Sequence, residues 1–164
     1  RFTTKRMIDD YIERFYTPLS KRSAEVCANN FAKAKELAAW KHNVATHWDD
    51  IELKSLDIKN LDHQSVEVGD HYDITAQIDT KGLNDNGIGI ELVVTYQDAK
   101  GQTHVSEVKE FDLVKREGSL LVYKLDYQLS QGGTYKYAFR MFPKNSDLPH
   151  RMDFCYVRWL QRLN

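Results

Sequence analysis

The spacing of apolar residues changes once along this chain, and that change constrains the fold more than any other feature. Before Trp48, apolar side chains recur every three to four residues, as they do on one face of a helix. After Trp48 they alternate with polar side chains, which is the pattern of strands with one buried face. The sequence therefore predicts a helical segment over residues 1–48 and a β domain over residues 49–164.

A wide apolar stripe marks the first helix. Thr3 or Thr4 is a candidate N-cap, because a hydroxyl can accept hydrogen bonds from the free N–H groups of the first turn. Pro18 predicts that this helix ends near Tyr16, since proline pushes the residue before it out of the α region. The stripe consists of Met7, Ile8, Tyr11, Ile12, Phe15 and Tyr16.

A second helical run extends from about Ser20 to Trp48 and is favoured by its many alanines. Asn29 and Asn30 predict a break in this run, with Asn30 capping the second piece. Two helices with such broad apolar faces need a further surface to cover them. That surface is either a face of the β domain or a domain outside this chain.

Turn signals divide residues 49–164 into about seven short strands, each with alternating polarity. This pattern predicts an antiparallel, immunoglobulin-like β-sandwich with a solvated outer face, so the chain is mainly β with an N-terminal helical segment. The predicted strands are Ile51–Ile58 with a slip, Val66–Ile78, Ile90–Tyr96, Val105–Leu113 with a bulge, Leu121–Leu129, Tyr135–Met141 and Phe154–Trp159.

Charge and composition argue against several functional classes. The net charge is −1 and the pI is near 6.7, which favours neither nucleic acid nor an anionic membrane as a partner. Cys27 and Cys155 are far apart and outside any metal-binding spacing, so we expect reduced, buried thiols in a cytoplasmic protein. Because the chain starts at Arg1 in helical pattern, we expect it to be part of a longer protein.

No arrangement of residues in the sequence predicts a catalytic, cofactor-binding or metal site. Asp9 and Glu13 fall on a polar helix face, and His42 and His47 are five apart, which does not direct both rings to one metal ion. Trp48 and Trp159 are candidate glycan contacts, because an aromatic ring can stack on a sugar. The alternative for both rings is packing in the core, where aromatic side chains bury large areas.

Two stretches resemble the end of bacterial α-glucan phosphorylases. The first, Lys5–Pro18, is similar to the R-M-φ-x-x-Y-φ-E-x-φ-Y-x-P helix of those enzymes and precedes a similar segment, Ala34–Lys41. The second, Gly133–Pro143, is followed by Leu148-Pro149-His150 and then by Val157-Arg158-Trp159, in the order found in that family. One difference is that His150 follows the proline, whereas the family more often has His before Pro.

The resemblance implies a parent enzyme that phosphorolyses α-1,4-glucans to glucose 1-phosphate with pyridoxal phosphate bound to a lysine. The family's cofactor-lysine motif, E-A-S-G-T-x-N-M-K, has no counterpart in this sequence. We therefore expect a non-catalytic accessory region whose helices contact the catalytic domains of the same chain. The alternatives are a carbohydrate-binding module that tethers the enzyme to glycogen and an unrelated immunoglobulin-like interaction domain.

Overall fold

The computed structural model describes residues 3–59, 69, 71–83, 87–128 and 134–162. The chain forms two compact units, Arg1–Asn43 and Val44–Asn164. In the described part, no helix has both the length and the apolar character needed to cross a membrane.

The helical region consists of α1 (Thr4–Tyr11), a π-helical turn (Ile12–Tyr16) and α2 (Thr17–His47). Thr3 is the N-cap of α1, since its side chain accepts a hydrogen bond from the Arg6 N–H. The helix therefore begins at one of the two predicted caps.

The prediction that Pro18 ends the first helix is wrong. Proline has no N–H to donate, and its ring crowds the preceding turn of an α-helix. Here the turn before Pro18 is a wider π turn, in which the Thr17 N–H donates to the Ile12 carbonyl. Because this turn does not require an N–H from residue 18, helical structure continues through the proline.

The predicted break at Asn29–Asn30 is confirmed. Ala28 is extended (ψ 156°), and Asn29, Asn30 and Phe31 all have left-handed backbone, with φ of 51°, 56° and 61°. Asparagine adopts this region more readily than most residues, because its short side chain can hydrogen-bond locally. Asn30 does not have the extended backbone of an N-cap, so the predicted cap is not formed.

The second unit contains eight described strands in two antiparallel sheets, which confirms the predicted mainly β sandwich. The first sheet has the order β1-β2-β6-β5 and the second has the order β4-β3-β7-β8. Named as in immunoglobulin domains, the sheets are ABED and C′CFG. The strands are β1 Glu52–Ile58, β2 His71–Asp79, β3 Ile88–Gln97, β4 Thr103–Glu110, β5 Asp112–Glu117, β6 Leu120–Gln128, β7 Tyr135–Pro143 and β8 Arg158–Arg162.

One predicted strand, Val105–Leu113, is two strands in different sheets. The chain leaves the second sheet at Phe111, whose N–H donates to the Ile90 carbonyl at 2.9 Å. The Phe111 ring is 3% exposed and lies edge-on to Phe139, at 5.9 Å between ring centroids. Apolar residues recur every two or three positions across this crossing, without a turn signal between them, so the sequence pattern does not separate β4 from β5.

The last predicted strand starts later than expected. Arg151–Phe154 is a 3-10 helix, and β8 begins at Arg158. His150 caps the 3-10 helix: its ring accepts from the Met152 N–H, and its own N–H donates to Asp153. A short helix closed by such a cap competes locally with strand formation.

Two further sequence predictions have mixed outcomes. The slip in the first strand is confirmed as a register shift between Leu53 and Ser55. Both cysteines are free, but the prediction that they are buried is wrong, because Cys27 and Cys155 are exposed. Cys155 follows the 3-10 helix rather than lying in a strand, so alternation does not apply to it. Val66, Val68 and Leu129 lie outside the described residues.

A buried tyrosine links the two sheets across the core. The Tyr123 hydroxyl on β6 donates to the Ile88 carbonyl on β3 at 2.6 Å, and the side chain is 2% exposed. Burial raises the pKa of this phenol. Tyr123 therefore fixes the position of one sheet against the other through a hydrogen bond that water does not screen.

Candidate functional site

The candidate site lies on the outer face of the second sheet. In the strand register, Glu91 on β3 faces Arg140 on β7, and Arg140 faces Trp159 on β8. Arg151, from the 3-10 helix, binds Glu91 and lies over the ring of Phe142 on β7. We call these five residues the Glu91 cluster.

The Glu91 carboxylate is buried and fully paired. It is 2% exposed, its Oε1 accepts from Arg140 Nε, and its Oε2 accepts from both Nη atoms of Arg151 at 3.0 Å. A buried carboxylate is tolerated when good hydrogen bonds replace its hydration. Two guanidinium groups against one carboxylate leave the cluster with a net positive charge.

Aromatic rings contact both arginines. The Arg151 guanidinium lies 3.7 Å from the centroid of the Phe142 ring, and that of Arg140 lies 5.5 Å from the Trp159 ring. The Phe142 ring covers Gly89, where an added Cβ would come within 2.5 Å of the ring. Glycine at position 89 thus lets Phe142 lie flat on the sheet beneath Arg151.

The two candidate glycan contacts have different surroundings. Trp48 is 5% exposed and packs edge-on to Tyr156, at 5.5 Å between centroids. Trp159 is 44% exposed on β8, an edge strand. Glycan contact by either ring stays a prediction, and of the two only Trp159 offers an accessible ring face.

The sequence pattern does not identify Glu91, Arg140 and Arg151 as a group. A usable signal was present, because β3 is apolar at nearly every position and not only at alternate ones. Such a run indicates a strand that is covered on both faces. A glutamate within it needs a cation beside it, and the sequence pattern does not reveal which one.

Other charged groups of the second unit form pairs at the surface. Lys81 Nζ lies 3.1 Å from Glu52 and 3.3 Å from Asp79. The Lys81 backbone N–H, followed by the Ser119 side chain, lowers the pKa of Asp79 from 3.8 to about 2. Within the described ranges, no three His, Cys, Asp or Glu side chains converge on a point where a metal ion could bind.

The polar residues considered on the first helix are surface residues. Asp9 and Glu13 are exposed, and Asp10 lies 3.9 Å from Arg14 one turn later. Exposed pairs of this kind contribute little to stability. This arrangement is that of a solvated helix face.

Comparison with known proteins identifies the family. The family model described as glycogen phosphorylase C-terminal domain matches residues 48–161. Maltodextrin phosphorylase of Thermococcus litoralis is 23% identical over 167 residues, which cover 97% of this chain and 18% of that protein. Glycogen phosphorylase of Mycobacterium tuberculosis is 23% identical over 144 residues, 88% of this chain and 14% of that protein. This chain spans less than a fifth of these relatives' length, and it belongs to the glycogen phosphorylase C-terminal domain family.

Proposed function

We propose that this chain is a non-catalytic accessory region of a cytoplasmic α-glucan phosphorylase. The complete protein would transfer the terminal glucose of an α-1,4-glucan to orthophosphate, giving glucose 1-phosphate and a glucan shortened by one unit. The family match and the names of the relatives support this reaction. Pyridoxal phosphate would be bound elsewhere in that protein, since the cofactor-lysine motif has no counterpart in these 164 residues.

The observation that carries the accessory role is the exposed apolar stripe on α1 and the π turn. Exposed contiguous apolar surface of this kind marks an interaction site. The aromatic rings of the stripe lie next to each other. The centroid of the Tyr11 ring is 5.8 Å from that of Phe15 and 6.4 Å from that of Tyr16. The exposed fractions are 52% for Met7, 49% for Ile8, 49% for Tyr11, 45% for Ile12, 53% for Phe15, 64% for Tyr16 and 60% for Leu19.

The partner that we propose for this stripe is the catalytic domains of the same protein. An intramolecular partner is supported by the length of the relatives, because more than four fifths of each lies outside the matched region. The rest of such a protein provides ample surface to cover one amphipathic helix. Neither nucleic acid nor a membrane is part of the proposal.

A pair of matched variants of the complete protein tests the stripe. Ile8→Gln with Phe15→Gln removes apolar contact, whereas Asp9→Gln with Glu13→Gln changes the opposite face to the same residue type. We expect the first pair to lower the melting temperature and to reduce glucose 1-phosphate formation, because the apolar contact with the catalytic domains is weakened. The second pair should change neither quantity.

Thermal unfolding and the rate of glucose 1-phosphate release from maltoheptaose are the two readouts. If the apolar pair retains the melting temperature and the activity of the unchanged protein, the stripe does not contact the catalytic domains. Equal losses in both pairs would indicate a general effect of the substitutions on the helix.

A further inference from the structure

We propose that the outer face of the second sheet binds an α-1,4-glucan chain through Trp159 and Arg140. The inference rests on the proposed function, which supplies the chemical class of the ligand. A pyranose ring offers a C–H face that packs on an aromatic ring and hydroxyl groups that accept hydrogen bonds at its edge. A site for it therefore needs an accessible ring with N–H donors beside it.

Trp159 provides the ring. It is 44% exposed, although tryptophan has much to gain from burial, and it lies on the edge strand β8, where no further strand covers it in the described chain. The Arg140 guanidinium lies 5.5 Å from its centroid and restricts the position of the indole. A ring held in this way loses little conformational entropy when a ligand stacks on it.

Arg140 provides the donors. Its Nε is bound to Glu91, and its Nη groups have no hydrogen-bond partner among the described residues. Arginine carries five N–H donors, so four of them are unused by the described residues and available to ligand oxygens beside the indole. Because Glu91 is 2% exposed and also bound to Arg151, the guanidinium is anchored before any ligand arrives.

The accessible part of this face lies on β7 and β8. Toward β3 the outer face is covered, since Val93 is 6% exposed and Glu91 is 2% exposed. The proposed surface therefore runs along Trp159 and Arg140 and does not extend to β4, which is the opposite edge of the sheet.

Affinity electrophoresis of the complete protein and of the 164-residue chain, in gels with and without glycogen, tests the proposal. Trp159→Ala should weaken retardation by glycogen roughly tenfold, as expected for the loss of one aromatic contact, while Trp159→Phe keeps most of it. Arg140→Lys should also weaken it, because the planar set of donors is lost. Val105→Ala, on the same face and 62% exposed, is the control and should migrate like the unchanged protein.

Steady-state kinetics of the complete protein separates this proposal from the proposed function. Trp159→Ala should raise KM for glycogen roughly tenfold, whereas Val105→Ala should keep the KM of the unchanged protein. If the protein forms glucose 1-phosphate but Trp159→Ala and Trp159→Phe both bind glycogen like the unchanged protein, the glucan platform is overturned and the proposed function stands. If no glucose 1-phosphate forms under any condition, the proposed function itself fails.

Discussion

At the scale of single residues, the Glu91 carboxylate connects three separate parts of the second unit. It lies on β3, one arginine partner comes from β7, and the other comes from the 3-10 helix that precedes β8. These partners are 49 and 60 residues away along the chain. Such a contact forms only after the sheet has assembled, and it then holds the 3-10 helix against the sheet.

Glu91→Gln is expected to destabilise the protein by about 2 kcal/mol in urea unfolding. Removing one partner of a buried ion pair costs about 3–5 kcal/mol, and the cost is lower here because both arginines reach solvent. The matched control is Glu110→Gln on the neighbouring strand. Glu110 pairs with Lys144 at the surface, so its loss should cost less than about 1 kcal/mol. An equal loss of unfolding free energy in the two variants would show that the buried pairing of Glu91 stabilises the fold no more than a surface ion pair does.

At the scale of elements, alternation predicted the strands that run through the sandwich and failed where the backbone changes course. β3, β6 and β7 lie where the pattern placed them, whereas β2 begins at His71, after a turn at Gly69 that falls inside the predicted strand. Phe111 falls inside one predicted strand although the chain crosses between sheets there, because a crossing residue can be as deeply buried as a strand residue. Pro18 predicted a helix end that is absent, because a π turn relieves the steric conflict that proline imposes on an α-helix.

The site was less predictable than the strands. Trp159 was identified from the sequence as a candidate ring, but its neighbour Arg140 became meaningful only when the register placed the two side by side. The sequence did not distinguish Trp48 from Trp159. Trp48 is buried because it packs against Tyr156, which lies more than a hundred residues away along the chain. Contacts of this range depend on the tertiary fold and leave no local signal.

The end of β2 gives an element-level prediction for acid stability. The pKa of Asp79 is lowered from 3.8 to about 2 in the folded state, chiefly by the Lys81 N–H. Its ionised form therefore stabilises the fold above pH 4, and this contribution is lost as the pH falls from about 4 to 2. Asp79→Asn should flatten the pH dependence of the unfolding free energy in this window.

Asp73→Asn is the control for that experiment. It removes a charge from an exposed position on the same strand without removing the hydrogen bonds around Asp79. Urea unfolding at several pH values between 2 and 6 provides the comparison. An unchanged slope in Asp79→Asn would contradict the assigned role of the carboxylate.

At the scale of the whole molecule, the chain is a sandwich unit and a helical unit whose apolar stripe remains exposed. An exposed apolar surface of this kind indicates an interaction site. The relatives are proteins more than five times the length of the matched region. We propose that the rest of the protein carries out the chemistry, that the stripe attaches this region to it, and that the outer face of the second sheet binds glucan.

The most direct test of the central proposal is an assay for glucose 1-phosphate from maltoheptaose and orthophosphate, with pyridoxal phosphate added. The complete protein and the 164-residue chain are assayed side by side at equal molar concentration. We predict steady product formation by the complete protein and none by the chain alone. Product formed by the chain alone, or none formed by the complete protein, would contradict the account.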